Sequence, residues 1–250
     1  MAVSRHVVIA IGVGALLWTA GGRADAAPIT SLSGREVGVN FVGKAALDMA
    51  AGDLAGVVPQ DHWNNVKSGL DQPLALTDDG GAAAGATVEW RGKTGYTAIS
   101  DATADGRLMC GYLTALGATD PPTATFSGLL AAFPLGYSVI VYFDGSNDIA
   151  SPDVAWVMDL VVGGVTRKVC DPANTNFSGT YVEDTGTGGN WARFDGLTDD
   201  GLTVTATPYD GTKSAINAIQ LIHTPEPATA GLVAAGLAAL VLRRRRARTV

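Results

Sequence analysis

Histidine is scarce in this chain of 250 residues, and its scarcity excludes several kinds of site. His6 and His223 lie near the two ends of the chain, so only His62 falls well inside the central region. A catalytic triad or a metal cluster built on histidine needs more members. No serine lies in a Gly-x-Ser-x-Gly elbow either. The sequence therefore predicts no catalytic residue, no metal site, no cofactor and no enzymatic activity.

Charged residues, and basic ones above all, are also few. They make up 16% of the chain, against roughly 25% in typical soluble domains. Lys and Arg number 17 against 24 Asp and Glu, giving a net charge of −7. Residues 27–224 alone hold 10 basic and 22 acidic residues. This acidic region argues against nucleic acid as a partner, because binding nucleic acid requires a basic face. It is compatible with a soluble extracellular domain or with calcium binding.

Long helical patterns are absent between Ala27 and Thr224. Short runs rich in Val, Ile, Thr and aromatic residues recur there and predict strands. They are Val37–Val42, Ala86–Trp90, Ser138–Phe143, Val154–Val162, Val165–Val169, Gly179–Glu183, Asn190–Phe194, Leu202–Thr207 and Ala215–Ile222. About nine strands at this spacing predict one all-β domain, a β-sandwich of jelly-roll or galactose-binding type.

Some segments of this domain carry a more specific expectation. Gly163-Gly164 predicts a hairpin between its flanking strands, and the two apolar faces of Ala215–Ile222 predict a central strand. Leu108–Leu116 fits a short helix or a further strand, and Lys44–Ala55 fits one or two helical turns. Trp90, Trp156 and Trp191 lie in predicted strands, so we expect them in the core.

The N-terminal segment Met1–Ala26 has the pattern of a signal peptide. Arg5 supplies a basic start, Val7–Trp18 is apolar, and Ala24-Asp25-Ala26 resembles a cleavage site. About twelve apolar residues are too few to cross a bilayer as a helix. The alternative is an N-terminal anchor that is not cleaved.

The C-terminal segment Pro225–Val250 has three parts in a fixed order. Pro225, Glu226 and Pro227 precede the apolar run Ala228–Leu242, and a basic cluster follows, made of Arg243, Arg244, Arg245 and Arg246. Arginines of this kind stay on the cytoplasmic side, so the run predicts a membrane anchor in the form of a short transmembrane helix. The alternative is an ordinary C-terminal anchor.

This tail resembles the PEP-CTERM sorting signal of Gram-negative and related bacteria. The resemblance implies recognition by an exosortase-type membrane peptidase, with cleavage near Pro225–Pro227. It also implies an exported protein at the cell surface or in the extracellular matrix, associated with exopolysaccharide and anchored only transiently.

The central region is similar, more loosely, to secreted planctomycete-type proteins that carry this signal. The similar pieces are Val39-Asn40-Phe41, Trp63-Asn64-Asn65, Leu108-Met109-Cys110-Gly111-Tyr112, Val139–Phe143, Gly189–Phe194 and Ala215–Ile222. Such cores look like carbohydrate-binding or galactose-binding sandwiches, which is a likeness of fold and assigns no function.

Cys110 and Cys170 are the only cysteines. Export would bring them into an oxidising compartment, which permits a disulfide. A bridge would close a loop of about 60 residues and stabilise the fold by roughly 4 kcal/mol. Two free thiols are the alternative.

The segment Asp61–Asn65 is the chain's densest cluster of polar and aromatic residues. In a functional interpretation Trp63 stacks on a sugar ring, and Asn64 and Asn65 bond its hydroxyls. In the structural interpretation the segment is a turn, and Trp63 plugs the end of the sandwich.

Acidic turns recur along the chain, and Asp144–Asp148 offers several oxygen ligands for calcium. The segment lacks the length and the final Glu of an EF-hand loop, and Asp, Gly and Asn are common in ordinary turns. Three hypotheses thus remain for the domain. They are a non-enzymatic surface or matrix protein that contacts polysaccharide, a secreted glycan hydrolase with two facing carboxylates, and a calcium-stabilised adhesion module.

Overall fold

The computed structural model describes residues 35–43, 47–67, 73–117, 119–145, 155–173, 175–209 and 212–224. The predicted signal peptide and nearly all of the predicted tail lie outside these ranges. The described residues form thirteen strands and two short helices. They are β1 (Val37–Phe41), β2 (Asn64–Val66), β3 (Leu74–Thr77), β4 (Ala83–Arg91), β5 (Lys93–Tyr96), α1 (Ala104–Cys110), β6 (Gly111–Thr114), β7 (Thr123–Ser127), α2 (Leu129–Ala132), β8 (Tyr137–Tyr142), β9 (Trp156–Val162), β10 (Val165–Asp171), β11 (Trp191–Leu197), β12 (Leu202–Pro208) and β13 (Ala218–His223).

Two sheets face each other across one hydrophobic core. The five-stranded sheet has the order β11-β8-β13-β1-β2, and the six-stranded sheet has the order β10-β9-β12-β7-β4-β3. The pairings are antiparallel except for β1 with β2. The core contains Val39, Val141 and Leu221 from the first sheet and Phe126 and Leu160 from the second. This arrangement is that of a β-sandwich.

The two sheets differ in how many of their faces are covered. Strands of the six-stranded sheet alternate between buried and more exposed residues, as in β9 and β12. One face therefore packs on the core and the other faces solvent. In the five-stranded sheet, β1 and β8 are buried at every position and β13 at all but its last. Both faces of that sheet are covered.

A second hydrophobic cluster covers the outer face of the five-stranded sheet. Ile140, Tyr142 and Ala218 point into it from the strands. The covering layer comes from residues 49–63, from α1 and from residues 177–181. Arg107 of α1 donates two hydrogen bonds to the carboxylate of Asp53, at 3.0 and 2.6 Å, and so ties two parts of this layer together.

Tyr142 and Gln220 attach the covering layer to the sheet. The Tyr142 hydroxyl donates to the Gln220 side-chain oxygen at 2.7 Å and accepts from the backbone N–H of Val57 at 2.8 Å. The Gln220 side-chain nitrogen donates to the carbonyl of Val58 at 2.6 Å and to the side-chain oxygen of Gln60 at 2.9 Å. Burial raises the pKa of Tyr142 far above its usual range, so its hydroxyl stays protonated.

Asn217, fully buried just before β13, joins the sheet to α1 and to the end of β8. Its side-chain nitrogen donates to the carbonyls of Met109, Gly111 and Asp144, at 2.6, 2.9 and 3.0 Å. Its side-chain oxygen accepts the backbone N–H of Asp144 at 2.6 Å. One amide therefore serves four backbone groups in the buried interior.

The expected all-β class is confirmed, and most of the expected strands are present. The hairpin at Gly163-Gly164 joins β9 and β10, and β13 is the central strand of its sheet. Leu108–Leu116 contains both expected elements, because α1 ends at Cys110 and β6 begins at Gly111. Trp90, Trp156 and Trp191 are buried as expected. The jelly-roll or galactose-binding type and the domain limits 27–224 stay predictions.

Two expected elements are wrong. Gly179–Glu183 is a loop, and only Glu183 forms an isolated bridge, with Trp191. The side chain of Asn190 binds the backbone of this loop at Thr180 and Val182 and so replaces a neighbouring strand as the partner. Residues 47–55 contain no helix. There Asp53 accepts the N–H of Ala50 with its carboxylate, which favours a turn.

No helix among the described ranges is long and apolar enough to cross a membrane.

Replacing Asn217 should destabilise the domain strongly. Asn217→Ala removes a buried amide that bonds three carbonyls and one N–H, so we expect a loss of at least about 3 kcal/mol and a fall in Tm of about 6–12 °C. Thermal and denaturant unfolding measure both quantities. Asn190→Ala is the matched control, because Asn190 is half-buried and serves two backbone groups of one loop. Equal losses in the two variants would contradict the central role of Asn217.

Candidate functional site

A cavity of about 280 Å³ opens at one end of the sandwich. It lies where β8 and β10 end and β11 begins, and the connection 172–190 forms most of its wall. Its surface combines apolar and polar groups, with the apolar share the larger, and it is lined by Asp144, Asp171, Pro172, Thr175, Asn176, Phe177, Ser178, Thr180, Val182, Gly188, Gly189 and Asn190. Carboxylates, amides and hydroxyls together with one aromatic ring can hydrogen-bond and pack against a polar organic ligand.

Two buried carboxylates lie in the floor of this cavity, held by backbone groups. Asp144 accepts the N–H of Phe177 at 2.7 Å. Asp171 accepts the N–H of Gly145 at 2.9 Å. Asp144 lies two residues beyond the end of β8, and Asp171 is the last residue of β10. The two strands belong to different sheets, so the cavity lies where the ends of both sheets meet.

A third buried carboxylate, Asp184, shapes the wall. It accepts the backbone N–H of Cys170 on β10, and the N–H groups of Gly186 at 2.6 Å and Gly188 at 3.3 Å. Gly186 and Gly188 have φ values of 102° and 108°, which favour glycine over any residue with a Cβ. Asp184 thus folds the connection back onto the edge strand β10 and covers its open hydrogen-bonding groups.

Aromatic rings connect the cavity to the covering layer. Phe177 lies 4.9 Å from Tyr181, and Tyr181 lies 5.4 Å from Tyr142, measured between ring centres. The Tyr181 hydroxyl donates to the carboxylate of Asp105 at 2.7 Å. Burial raises the pKa of Tyr181 far above its usual range, so this hydroxyl is a donor at any physiological pH. The cavity wall is therefore fixed by the same layer that covers the sheet.

The proposed sugar platform at Trp63 is wrong, because the Trp63 side chain is in the interior. The residue is only 4% exposed, and its ring packs edge-on against Tyr142 with centres 6.3 Å apart. Its indole N–H donates to the carbonyl of Gln60 at 3.1 Å. A buried ring cannot stack on a sugar, so Trp63 fills the covering layer instead.

Asn64 and Asn65, predicted as partners of that platform, bind the protein itself. Asn64 donates to the carbonyls of Gly38 and Thr77, both at 2.9 Å, and accepts the N–H of Thr77 at 2.9 Å. It thereby joins β1 of one sheet to β3 of the other. Asn65 accepts from the side chain of Asn40 and bonds both backbone groups of Met49. These amides are structural.

His62 sits on the surface beside this layer and is held by acidic neighbours. Its Nδ1 lies 2.8 Å from the Asp61 carboxylate and 3.0 Å from the carbonyl of Asp79. The bond to Asp61 raises its pKa. Its φ of 49° is left-handed, which is uncommon for a residue with a side chain. The turn at His62 aims the following residue, Trp63, into the core.

The disulfide considered from the sequence is not formed, and both cysteines are free. Cys110 is buried at the end of α1, where its thiol donates to the carbonyl of Thr97. Cys170 is half-buried on the edge strand β10, so the two belong to separate layers. Burial raises the pKa of both thiols, which makes them poor nucleophiles.

No group of three or more His, Cys, Asp or Glu within the described ranges could hold a metal ion. Of the turn considered for calcium, Asp144 and Gly145 are described and residues 146–148 are not. Calcium at this turn thus stays an untested alternative to the expectation of no metal.

The tail begins at the end of the sandwich opposite the cavity. In the pairing of β13 with β8, His223 lies beside Tyr137 at the start of β8, and Ala218 lies beside Tyr142 at its end. Asp144 lies two residues beyond Tyr142, so the cavity and the end of β13 lie at opposite ends of the sandwich. Only Thr224 separates β13 from Pro225. The remaining residues of the predicted sorting signal, Pro225–Pro227 and Arg243–Arg246, lie outside the described ranges.

Comparison with known proteins identifies this tail. Residues 223–246 match the family model described as the PEP-CTERM protein-sorting motif. The motif indicates an exported protein with a C-terminal membrane-anchoring signal that exosortase, a membrane protein, recognises. No curated protein and no solved structure matches the chain.

The interior position of Trp63 can be tested through Gly38. A Cβ at Gly38 would lie 2.5 Å from the Trp63 ring and 2.6 Å from the side-chain nitrogen of Gln60. We expect Gly38→Ala to destabilise the domain by about 1–3 kcal/mol through overpacking, measured by denaturant unfolding. Gly52→Ala is the control, because a Cβ there meets nothing within 4 Å. A ring that faced solvent would make the two variants equally stable.

Proposed function

We propose that the chain is an exported, non-catalytic β-sandwich protein that its C-terminal motif delivers to the cell surface or extracellular matrix, where it associates with polysaccharide. The observation that carries this proposal is the match of residues 223–246 to the sorting motif. The matched segment begins at His223, the last residue of the central strand β13. The sorting segment is therefore a direct continuation of the folded domain.

The positions of tail and cavity support a contact with extracellular material. The tail leaves one end of the sandwich, and the cavity opens at the other. A domain held at the membrane by its tail would present the cavity away from the bilayer. That end is the one that a matrix polymer can reach.

The cavity lining supports polysaccharide as the ligand class. Sugar hydroxyls bind amide, hydroxyl and carboxylate groups, and Asn176, Ser178 and Thr180 among the lining residues offer the first two. Phe177 lines the same wall but is itself buried, so it is not a stacking platform. The acidic character of residues 27–224 favours a neutral or cation-bridged glycan over a strongly anionic one. We place the polysaccharide contact here and not at Trp63.

The sorting step is tested by replacing Pro225, Glu226 and Pro227 with alanine in the producing bacterium. We expect the precursor to remain unprocessed in the membrane fraction, because the peptidase loses its recognition sequence. Immunoblots of membrane and extracellular fractions measure this. Replacing Arg248 and Thr249 with alanine is the control, since both lie beyond the matched segment. Unchanged processing of the first variant would refute the proposal.

The ligand is tested by a glycan-array screen of the processed protein, with and without calcium. Ser178→Trp places a large ring at the cavity rim and should abolish binding. Ser127→Trp is the control, because Ser127 is equally exposed on the solvent face of the six-stranded sheet. Binding that survives Ser178→Trp would remove the cavity from the proposal.

Two further measurements on the same protein, a reducing-end assay with soluble glycans and thermal unfolding with and without calcium, separate the proposal from its two alternatives. Release of reducing ends that disappears in Asp144→Asn or Asp171→Asn would identify a hydrolase, in which the two carboxylates of the cavity floor form the catalytic pair. A rise in Tm that depends on calcium, without glycan binding, would identify a calcium-stabilised adhesion module.

A further inference from the structure

Two leucines are exposed in the connection between β7 and β8, residues 128–136, called here the β7–β8 tip. Leu135 is 64% exposed and Leu130 is 40% exposed. Leu135 has the largest exposed fraction of any large apolar side chain within the described ranges. Neither leucine contributes to either hydrophobic cluster.

Several hydrogen bonds hold the backbone of the tip, so the fold itself keeps the two leucines exposed. Within it, Phe133 donates to the carbonyl of Leu129 at 2.8 Å, and Gly136 donates to the carbonyl of Phe133 at 3.1 Å. Asp200 fastens the helix α2 from outside. It accepts the N–H of Leu129 with its carbonyl and the N–H of Leu130 with its carboxylate, at 2.9 and 3.0 Å.

The tip also holds the point where the chain leaves the sandwich. The backbone N–H of Thr224 donates to the carbonyl of Gly136 at 3.4 Å. The ring of Phe133 lies 4.8 Å from the ring of His223. The exposed leucines and the start of the tail therefore belong to one end of the molecule.

The length of chain beyond Thr224 limits how far this end can lie from a bilayer. Three residues, Pro225–Pro227, separate Thr224 from the apolar run that begins at Ala228. Four extended steps reach at most about 14 Å. The headgroup layer on each side of a bilayer is itself about 5–8 Å thick. While the tail anchors the precursor, the end of β13 must lie at or very near the headgroups.

The charges at this end argue for an apolar contact and not an electrostatic one. Asp199 and Asp200 are exposed beside the tip, and Asp79 lies at the same end, where its backbone N–H donates to the carbonyl of Glu36. The exposed basic residue at this end, Arg35, is paired with Asp78. Acidic side chains are not attracted to anionic lipids. Exposed leucines, in contrast, gain free energy in the interfacial layer.

We infer that Leu130 and Leu135 insert into the lipid headgroup layer while the precursor is anchored, so that the sandwich stands on its β7–β8 tip with the cavity facing outward. The inference rests on the proposed function, because it requires a membrane-anchored precursor. The partner is the bilayer itself.

The test places an environment-sensitive fluorophore on the full chain in vesicles of phosphatidylethanolamine and phosphatidylcholine. Leu135→Cys carries the label, in a Cys170→Ser background that leaves only the buried Cys110. We expect the emission to shift to shorter wavelength on reconstitution, and the shift to persist at high salt. Adding Leu130→Ser should reduce it.

Leu54→Cys in the same background is the matched control. Leu54 is 61% exposed, close to the 64% of Leu135, but it lies in the covering layer on the side of the sandwich. We expect no shift there. Equal emission at both positions, in a chain that floats with the vesicles, would overturn the tip contact and leave the anchor intact. A chain that does not float with the vesicles would overturn the anchoring and the inference together.

Discussion

The need to satisfy polar groups on a sheet that is buried on both faces governs this structure. The five-stranded sheet cannot leave its outer face to water, because Ile140, Tyr142 and Ala218 project from it. The residues that cover this face lie in loops, whose backbone groups need partners once they are buried. Asn217, Gln220 and the Tyr142 hydroxyl provide those partners. Each amide binds carbonyls of the covering layer, so the loops are placed on the sheet by hydrogen bonds and held there by apolar packing.

This constraint limits which surfaces of the sandwich are open to a ligand or partner. The covering layer closes the outer face of one sheet, and Asp184 and the connection 172–190 close the edge at β10. What remains open is the solvent face of the six-stranded sheet and the two ends of the sandwich. One end holds the cavity with Asp144 and Asp171, and the other holds the β7–β8 tip and the start of the tail. The same network connects the two, because Asn217 binds Asp144 at the cavity and precedes β13, which leads to the tail.

The sequence predicts the strands that are long and apolar and fails for those that are short. The strands β8, β9 and β13 were predictable because their Val, Ile and Leu residues dominate, and β12 because its apolar residues alternate with Thr. The strands β2, β3, β5 and β7 were missed. The first three have only three or four residues, with Asn, Thr or Gly and no clear alternation. The site was beyond prediction for another reason. Asp144 and Asp171 are 27 positions apart in the sequence and meet only because β8 and β10, on facing sheets, end at the same level.

Trp63 shows why residue type alone misleads. A tryptophan between a histidine and two asparagines has the composition of a sugar site, and the same residues serve a core when the backbone turns inward at His62. The composition cannot distinguish the two, because hydrogen-bonding amides are equally useful to a ligand and to a loop carbonyl. The deciding residue is Gly38, which lies 25 positions before Trp63 and leaves the space that the Trp63 ring fills.

The position of the tail on a central strand also bears on how the anchored protein keeps its fold. β13 is hydrogen-bonded to β8 on one side and to β1 on the other, and the pairing with β8 extends to His223. A force on the tail therefore loads the hydrogen bonds of β13 to both β8 and β1 at once. Because β13 is not an edge strand, it cannot be peeled from the sheet one hydrogen bond at a time. Asn217 adds a buried attachment at the far end of the same strand. A domain held by its C-terminus at a membrane thus stays folded up to the residue where the sorting motif begins.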